Sequence, residues 1–353
     1  MANRIIAAER ITKNQLAIAE LVTKIQFEQK PELEVKYGKL GKEKTIQDVM
    51  FHVSYLSESI RAESNEIFNV YITWVNSVLE SRKVPTHILI ENLTLLKTVC
   101  KKLLLSEDYE IAKNYINNAT QKLPNTGFFP ESYLNNTNPL LNNAKKYLSF
   151  LLEGNRKNAQ LLIKELADKN HSITEIFEHI FQATQHEVGL LWQTNKISVA
   201  HEHYCTAVTQ QIMSSFYSSI FNPKKNSKKM VACTVSGDLH EMGIRMVSDI
   251  FELHGWDTYY LGANMPDVNI ISAIKEQKAD VLALSVTMPF HLTKAENLIN
   301  NLRSDKELEK LKIILGGYTF NIDNTIWKRL GADGMAYNFN EAVELANQLT
   351  NKN

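Results

Sequence analysis

Six residues in the last third of the chain have the types and spacing to do chemistry: Asp238-Leu239-His240-Glu241-Met242-Gly243. They follow an apolar run, Lys229 to Val235, and open a helix predicted over 241–254. They therefore sit on the loop leaving the carboxyl end of a strand, where open α/β sheets place their ligands. A lone loop histidine is ordinarily a polar surface residue. Here Asp238, two residues earlier, can accept the Nδ1 proton and leave Nε2 free as a metal ligand. One imidazole without a thiolate or a second protein ligand suits a metal whose other positions are filled by a macrocycle.

The elements that must position this loop can be read from hydrophobic patterning. Five apolar runs (229–236, 256–261, 280–287, 311–315 and 333–337) alternate with helices predicted over 241–254, 267–278, 291–304, 322–330 and 339–349. Such alternation implies right-handed crossovers and a doubly wound parallel sheet, with flavodoxin-like order 2-1-3-4-5 as the expectation. In that order the first, third and fourth strands are neighbours. The loop of His240, the end of the third strand at Ser285-Val286-Thr287, and Gly316-Gly317 after the fourth then share one crevice. Short Ser and Thr side chains leave a slot, and the glycines let backbone approach a bulky group.

Ahead of this domain lie four predicted helices, 140–152, 155–169, 172–193 and 198–221, joined by short connections as in a bundle. Ser172-Ile173-Thr174-Glu175 has the form of a capping box. Trp192, near the end of the third helix, and Glu202-His203 on the fourth flank one helix–helix turn and can converge at one end of the bundle. The basic stretch Lys224 to Lys229 reads as a surface linker.

The first third shows only helical spacing. Helices are expected over 10–27, 46–60, 67–79, 88–105 and 109–123, with 30–44 as a loop. Residues 1–123 read as an all-α domain, globin-like in packing, followed by a turn-rich linker over 124–138. Its aromatic content (Phe51, Tyr55, Phe68, Tyr71 and Trp74, with His52 and Arg82 nearby) suits core packing or, alternatively, a pocket for a flat, acidic, conjugated ligand. The expected organisation is thus 1–123 all-α, 139–223 a four-helix cap, and 229–353 a Rossmann-like domain.

With 353 residues, 44 % of them hydrophobic, the chain can build two or three cores. Lys+Arg and Asp+Glu both number 39, so no basic excess marks a nucleic-acid face. Cys100, Cys205 and Cys233 lack zinc-site spacing, and an odd count with no signal peptide fits a cytoplasmic protein. No apolar run approaches the roughly 20 residues that span a membrane.

Asp238-x-His240-x-x-Gly243, with Ser285-x-Thr287 and Gly316-Gly317, resembles the cobalamin-binding domain of methionine synthase-type proteins over about residues 139–350. Thr287 departs mildly from the usual pattern. The resemblance implies base-off binding, with His240 as lower axial cobalt ligand. The displaced nucleotide tail would lie in the slot beside Ser285, Val286 and Gly316-Gly317, and the helices would cap the upper corrin face. Trp192-(x9)-Glu202-His203 is similar to the cap of cobalamin-dependent light-sensing proteins. That implies adenosylcobalamin, loss of its adenosyl group in light, and capture of the cobalt by His203. The N-terminal domain lacks the winged helix of the light-sensing transcription factors and instead resembles photocobilins. This implies biliverdin near His52, Tyr55, Tyr71, Trp74 and Arg82, and a homo-oligomer or a separate output partner responding to light. Cys100 could attach a bilin or be a buried helical cysteine. The competing expectations are a corrinoid methyl carrier partnering methyltransferases, and a cobalamin store in which Trp192 and His203 merely pack.

Overall fold

A computed structural model describes residues 2–123 and 130–351. Residues 124–129 of the expected linker lie outside the described residues. The chain forms two compact units: residues 1–128 with 288–293, and residues 129–287 with 294–353.

The first unit is helical: α1 (Ala2–Lys13), α2 (Gln15–Gln29), α3 (Pro31–Arg61), α4 (Asn65–Ser81), α5 (Thr86–Leu103) and α6 (Ser106–Lys122). The expected loop over 30–44 is helix instead. Pro31 stands at the helix start, where its missing N–H costs nothing, and Gly38 (φ 57, ψ −158) kinks the helix without ending it. The single helix expected over 10–27 is broken at Asn14, whose side chain donates to the Arg10 carbonyl. The aromatic residues pack on one another. Tyr55 and Tyr71 stack with centroids 3.6 Å apart, His52 Nδ1 shares a 2.8 Å hydrogen bond with the Tyr71 hydroxyl, and Trp74 lies 6.4 Å from Tyr71. Phe51 and Tyr55 also meet Phe290 of the 288–293 segment. His52, Tyr55 and Tyr71 are all buried.

The second unit begins with the bundle: α7 (Leu141–Leu152), α8 (Arg156–Asp168), α9 (Ile173–Ile176), α10 (Ala183–Gln193), α11 (Val199–Met213) and α12 (Tyr217–Ile220). The Ser172–Glu175 capping box forms at the start of α9. A π-helical turn, Phe177–Gln182, joins α9 to α10 without a break in the helix. A five-stranded sheet follows, with β1 (Lys229–Thr234), β2 (Asp257–Gly262), β3 (Val281–Ser285), β4 (Lys312–Gly316) and β5 (Gly334–Met335). It is parallel in the order β2-β1-β3-β4-β5, as the alternation predicts. The crossover helices are α13 (Met242–Leu253), α14 (Asp267–Gln277), α15 (Leu292–Ser304), α16 (Tyr318–Ile322) and α17 (Ile326–Arg329), and α18 (Phe339–Thr350) follows β5. The helix expected over 322–330 is two short pieces. Bundle and sheet share one apolar core, running from Leu134, Tyr147, Phe177 and Phe181 to Phe251, Trp256 and Ile314. Trp256 precedes β2 rather than starting it, and it is fully buried.

Two consequences are measurable. Burial lowers the His52 imidazole from its ordinary 6.5 to about 4. The unfolded chain therefore takes up a proton at a higher pH than the folded one. This contribution to stability is complete above about pH 6.5 and is lost as pH falls toward about 4, by roughly 3 kcal/mol in all. Chemical denaturation at about pH 7 and about pH 5 should show a larger loss for the wild type than for His52→Gln. At the end of β4, Gly317 has φ +101, and a Cβ there would lie 2.5 Å from the Val286 carbonyl oxygen. Gly317→Ala should lower stability by about 3 kcal/mol, seen as a lower Tm.

Candidate functional site

The Asp238 carboxylate organises the loop after β1. Its side chain is fully buried, and three donors converge on it. His240 Nδ1 lies 2.7 Å from Oδ1, the His240 backbone N–H donates to Oδ1 at 3.1 Å, and the Thr287 N–H donates to Oδ2 at 2.7 Å. Burial raises this carboxyl, but the hydrogen bonds from His240 and Thr287 outweigh burial and hold it below the ordinary carboxylate range. The imidazole responds in the opposite direction. Its bond to Asp238 raises the His240 pKa against the opposing effect of burial. The loop backbone is fixed as well: Thr234 Oγ1 donates to the Asp238 carbonyl at 2.7 Å, and Asn264 N donates to it at 3.2 Å.

His240 is 58 % exposed, and its Nε2 makes no hydrogen bond among the described residues. The ring is therefore held at one nitrogen and available at the other. Leu239 is exposed beside it. Glu241 faces the opposite way. Its carboxylate accepts from Gln210 Nε2 of α11 at 3.2 Å and from the Tyr260 hydroxyl of β2 at 3.1 Å, which ties bundle to sheet. Met242 is partly buried against the core, and a Cβ on Gly243 would meet nothing within 4 Å.

The three expected motifs do share one edge. Thr234 of β1 pairs with Ser285 of β3, and Ser285 pairs with Gly316 of β4. Ser285 and Val286 are buried, while Gly316 has open space, with Ala336 O at 4.0 Å as the nearest atom to a would-be Cβ. In the bundle, Glu202 and His203 pair with each other. Glu202 Oε2 lies 2.5 Å from His203 Nδ1, and Glu202 Oε1 accepts from Thr206. Gln185 of α10 donates to Thr209 of α11 at 2.9 Å, locking the two helices that carry Trp192 and Glu202. The bond from Gln210 to Glu241 sets α11 beside the histidine loop, and Glu202 adds a small upward push on the His240 pKa. His203 is 75 % exposed.

The pigment residues proposed from the aromatic spacing fare differently. His52, Tyr55, Tyr71 and Trp74 cluster, but Arg82 donates to the Val78 carbonyl and to Ser81 Oγ at the end of its own helix. Cys100 is buried, and burial pushes its thiol up to about 12, which keeps it protonated and poorly nucleophilic. Sequence reasoning passed over Tyr133, His186, Gly189 and Tyr318. The single signal was Gly189, a helix-breaking residue in the middle of a predicted helix.

Comparison with known proteins bears on the ligand. Residues 228–346 match the B12 binding domain family model, residues 144–216 match a second B12 binding domain model, and residues 1–123 match the phycobilisome protein model. The chain is 28 % identical to dimethylamine corrinoid protein 1 of Methanosarcina acetivorans, over 55 % of this chain and 91 % of that protein. It is 27 % identical to the dimethylamine corrinoid protein of Methanosarcina barkeri, with the same coverage. The solved monomethylamine corrinoid protein of Methanosarcina barkeri superposes with a TM-score of 0.54 at 19 % identity, covering 60 % of this chain and all of that one, and so shares its fold.

These relatives overturn the light-sensing expectation drawn from Trp192, Glu202 and His203, and with it the light-dependent oligomer. They are corrinoid proteins of methylamine systems. The types and spacing of Trp192, Glu202 and His203 do not by themselves specify a light-sensitive upper group. The residues present fit a corrinoid. No group of three or more His, Cys, Asp or Glu among the described residues could hold a metal ion unaided. His240 offers one oriented imidazole, and Gly243 and Gly316 face open space beside it. No helix among the described residues is long and apolar enough to cross a membrane. The chain therefore carries a cobalamin-binding domain, in which a B12 binding sheet lies against a B12 binding helical cap.

Proposed function

We infer that the second unit is a corrinoid methyl carrier, serving a separate methyltransferase. The observation that carries this reading is the match to dimethylamine corrinoid proteins over 91 % of their length. The bound corrinoid would supply a cobalt that accepts and gives up a methyl group. His240 would hold that cobalt from below through Nε2, with Asp238 fixing the imidazole and tuning how strongly it donates. Ser285, Val286, Thr287, Gly316 and Gly317 would receive the nucleotide tail. Trp192, Glu202 and His203 would face the upper side, where the methyl group is exchanged. The chain itself performs binding, orientation and shielding, and the chemistry belongs to the cofactor and the partner. Methyl, not adenosyl, is the upper group this role requires.

For the first unit we propose an open-chain tetrapyrrole such as biliverdin. The phycobilisome match over 1–123 and the cluster of buried His52, Tyr55 and Tyr71 with half-buried Trp74 support it. Expression with biliverdin supplied should give a red-absorbing protein; a colourless first unit would remove this part.

Two experiments test the carrier. Corrinoid-loaded, reduced protein mixed with a methylamine:corrinoid methyltransferase and its methylamine should develop the visible band of a methylated corrinoid. No spectral change would sink the reading. In the Co(II) state, electron paramagnetic resonance should show coupling to one axial nitrogen. His240→Ala should abolish that coupling, whereas Asp238→Asn should retain it and weaken corrinoid affinity roughly 10- to 100-fold.

A further inference from the structure

Two aromatic polar residues, Tyr133 and His186, pack together at one margin of the cobalamin-binding unit, and Tyr318 lies near enough to Tyr133 to interact with it electrostatically. Tyr133 lies on the stretch leading into the bundle, and its backbone is held firmly. The Tyr133 N–H donates to Glu187 Oε2 at 2.8 Å and Ser132 Oγ donates to the same oxygen at 2.9 Å. Leu134 is buried in the core, and Asn138 donates to the His179 carbonyl at 2.7 Å. Glu187 is itself buried on α10. The Tyr133 ring is nonetheless 49 % exposed and packs against His186, with centroids 5.1 Å apart. Tyr318, also 49 % exposed, directly follows Gly316-Gly317. Burial raises the Tyr318 phenol and nearby Tyr133 raises it further. The pair thus ties the stretch leading into the bundle to α10 of the cap.

Among the described residues, neither hydroxyl nor the His186 ring makes a hydrogen bond, although each residue's neighbours are tightly fixed. His186 is exposed, yet desolvation lowers its pKa. One turn further along α10 stands Gly189, exposed, with nothing within 4 Å of a would-be Cβ. Trp192 follows one turn later. A mid-helix glycine weakens a helix relative to alanine. Here no packing inside the unit requires it, so the absent side chain leaves room for something outside the polypeptide.

We propose that Tyr133, His186 and Tyr318 form a rim subsite for the peripheral amide side chains of a corrin ring, with Gly189 allowing the ring to approach α10. This rests on the corrinoid reading of the site. The amides carry both donors and acceptors, which suits two phenols and an imidazole.

The test is a visible-spectrum titration of the full apo-chain with hydroxocobalamin and, separately, with cobinamide, which keeps the ring and most of its amides but lacks the nucleotide tail. Tyr133→Phe should weaken both corrinoids about fivefold, the effect of one hydrogen bond. Gly189→Leu should weaken both at least about tenfold, while raising the Tm of the apo-chain because the helix gains a better helix former. That opposition of stability and affinity is a readout that mere packing would not give. If the wild type binds while both variants bind within about twofold of it, the subsite is overturned. It is also overturned if the losses occur with hydroxocobalamin alone, since the contacts would then be to the tail. If the wild type binds neither corrinoid, the underlying reading fails and takes the subsite with it.

Discussion

The buried Asp238 carboxylate is the constraint on which the site depends. A charge removed from water must be compensated. Here it is compensated by two N–H groups and an imidazole drawn from two different strand ends, β1 and β3. The aspartate therefore fixes at once the conformation of its own loop, the distance between neighbouring strand ends, and the tautomer and tilt of His240. A histidine on a flexible loop would lose orientation to solvent. This one is held by the same interaction that closes the sheet edge.

The second constraint is the shared core. Cap and sheet do not merely touch. Tyr147, Phe177 and Phe181 from the bundle belong to the same apolar cluster as Phe251, Trp256 and Ile314. Glu241 adds a polar tie through Gln210 and Tyr260. Separating cap from sheet would expose this surface to water, so the space above His240 is defined by a joint that resists opening.

Much of this was legible from the residues. Apolar runs separated by amphipathic helices gave a doubly wound sheet, and the strand order follows from how such sheets wind. Asp238, His240, Ser285 and Gly316 could be placed together because strand ends in a parallel sheet share an edge. What could not be read were features that exist only in three dimensions. The 30–44 stretch looked like a loop because its glycines and proline are turn formers, yet Pro31 begins a helix and Gly38 only bends it. Tyr133 looked like one more residue of a polar linker, since nothing in a sequence says that Glu187 anchors it. Trp192, Glu202 and His203 flank one helix–helix turn, but their types do not encode which group such a turn would meet.

The π-helical turn between α9 and α10 has a consequence for how this cap came to hold its present shape. Such a turn accommodates one residue more than the α-helical ladder, and it rotates everything beyond it by about a third of a turn. Phe177 and Phe181 within it point into the core. His186, Gly189 and Trp192 beyond it hold a different azimuth from the one an unbroken helix would give them. A single inserted codon can thus uncouple the two halves of one rod, leaving the hydrophobic half in register while turning the other toward a new ligand. Lineages differing by one residue at this point would share a core and diverge in what the cap can recognise.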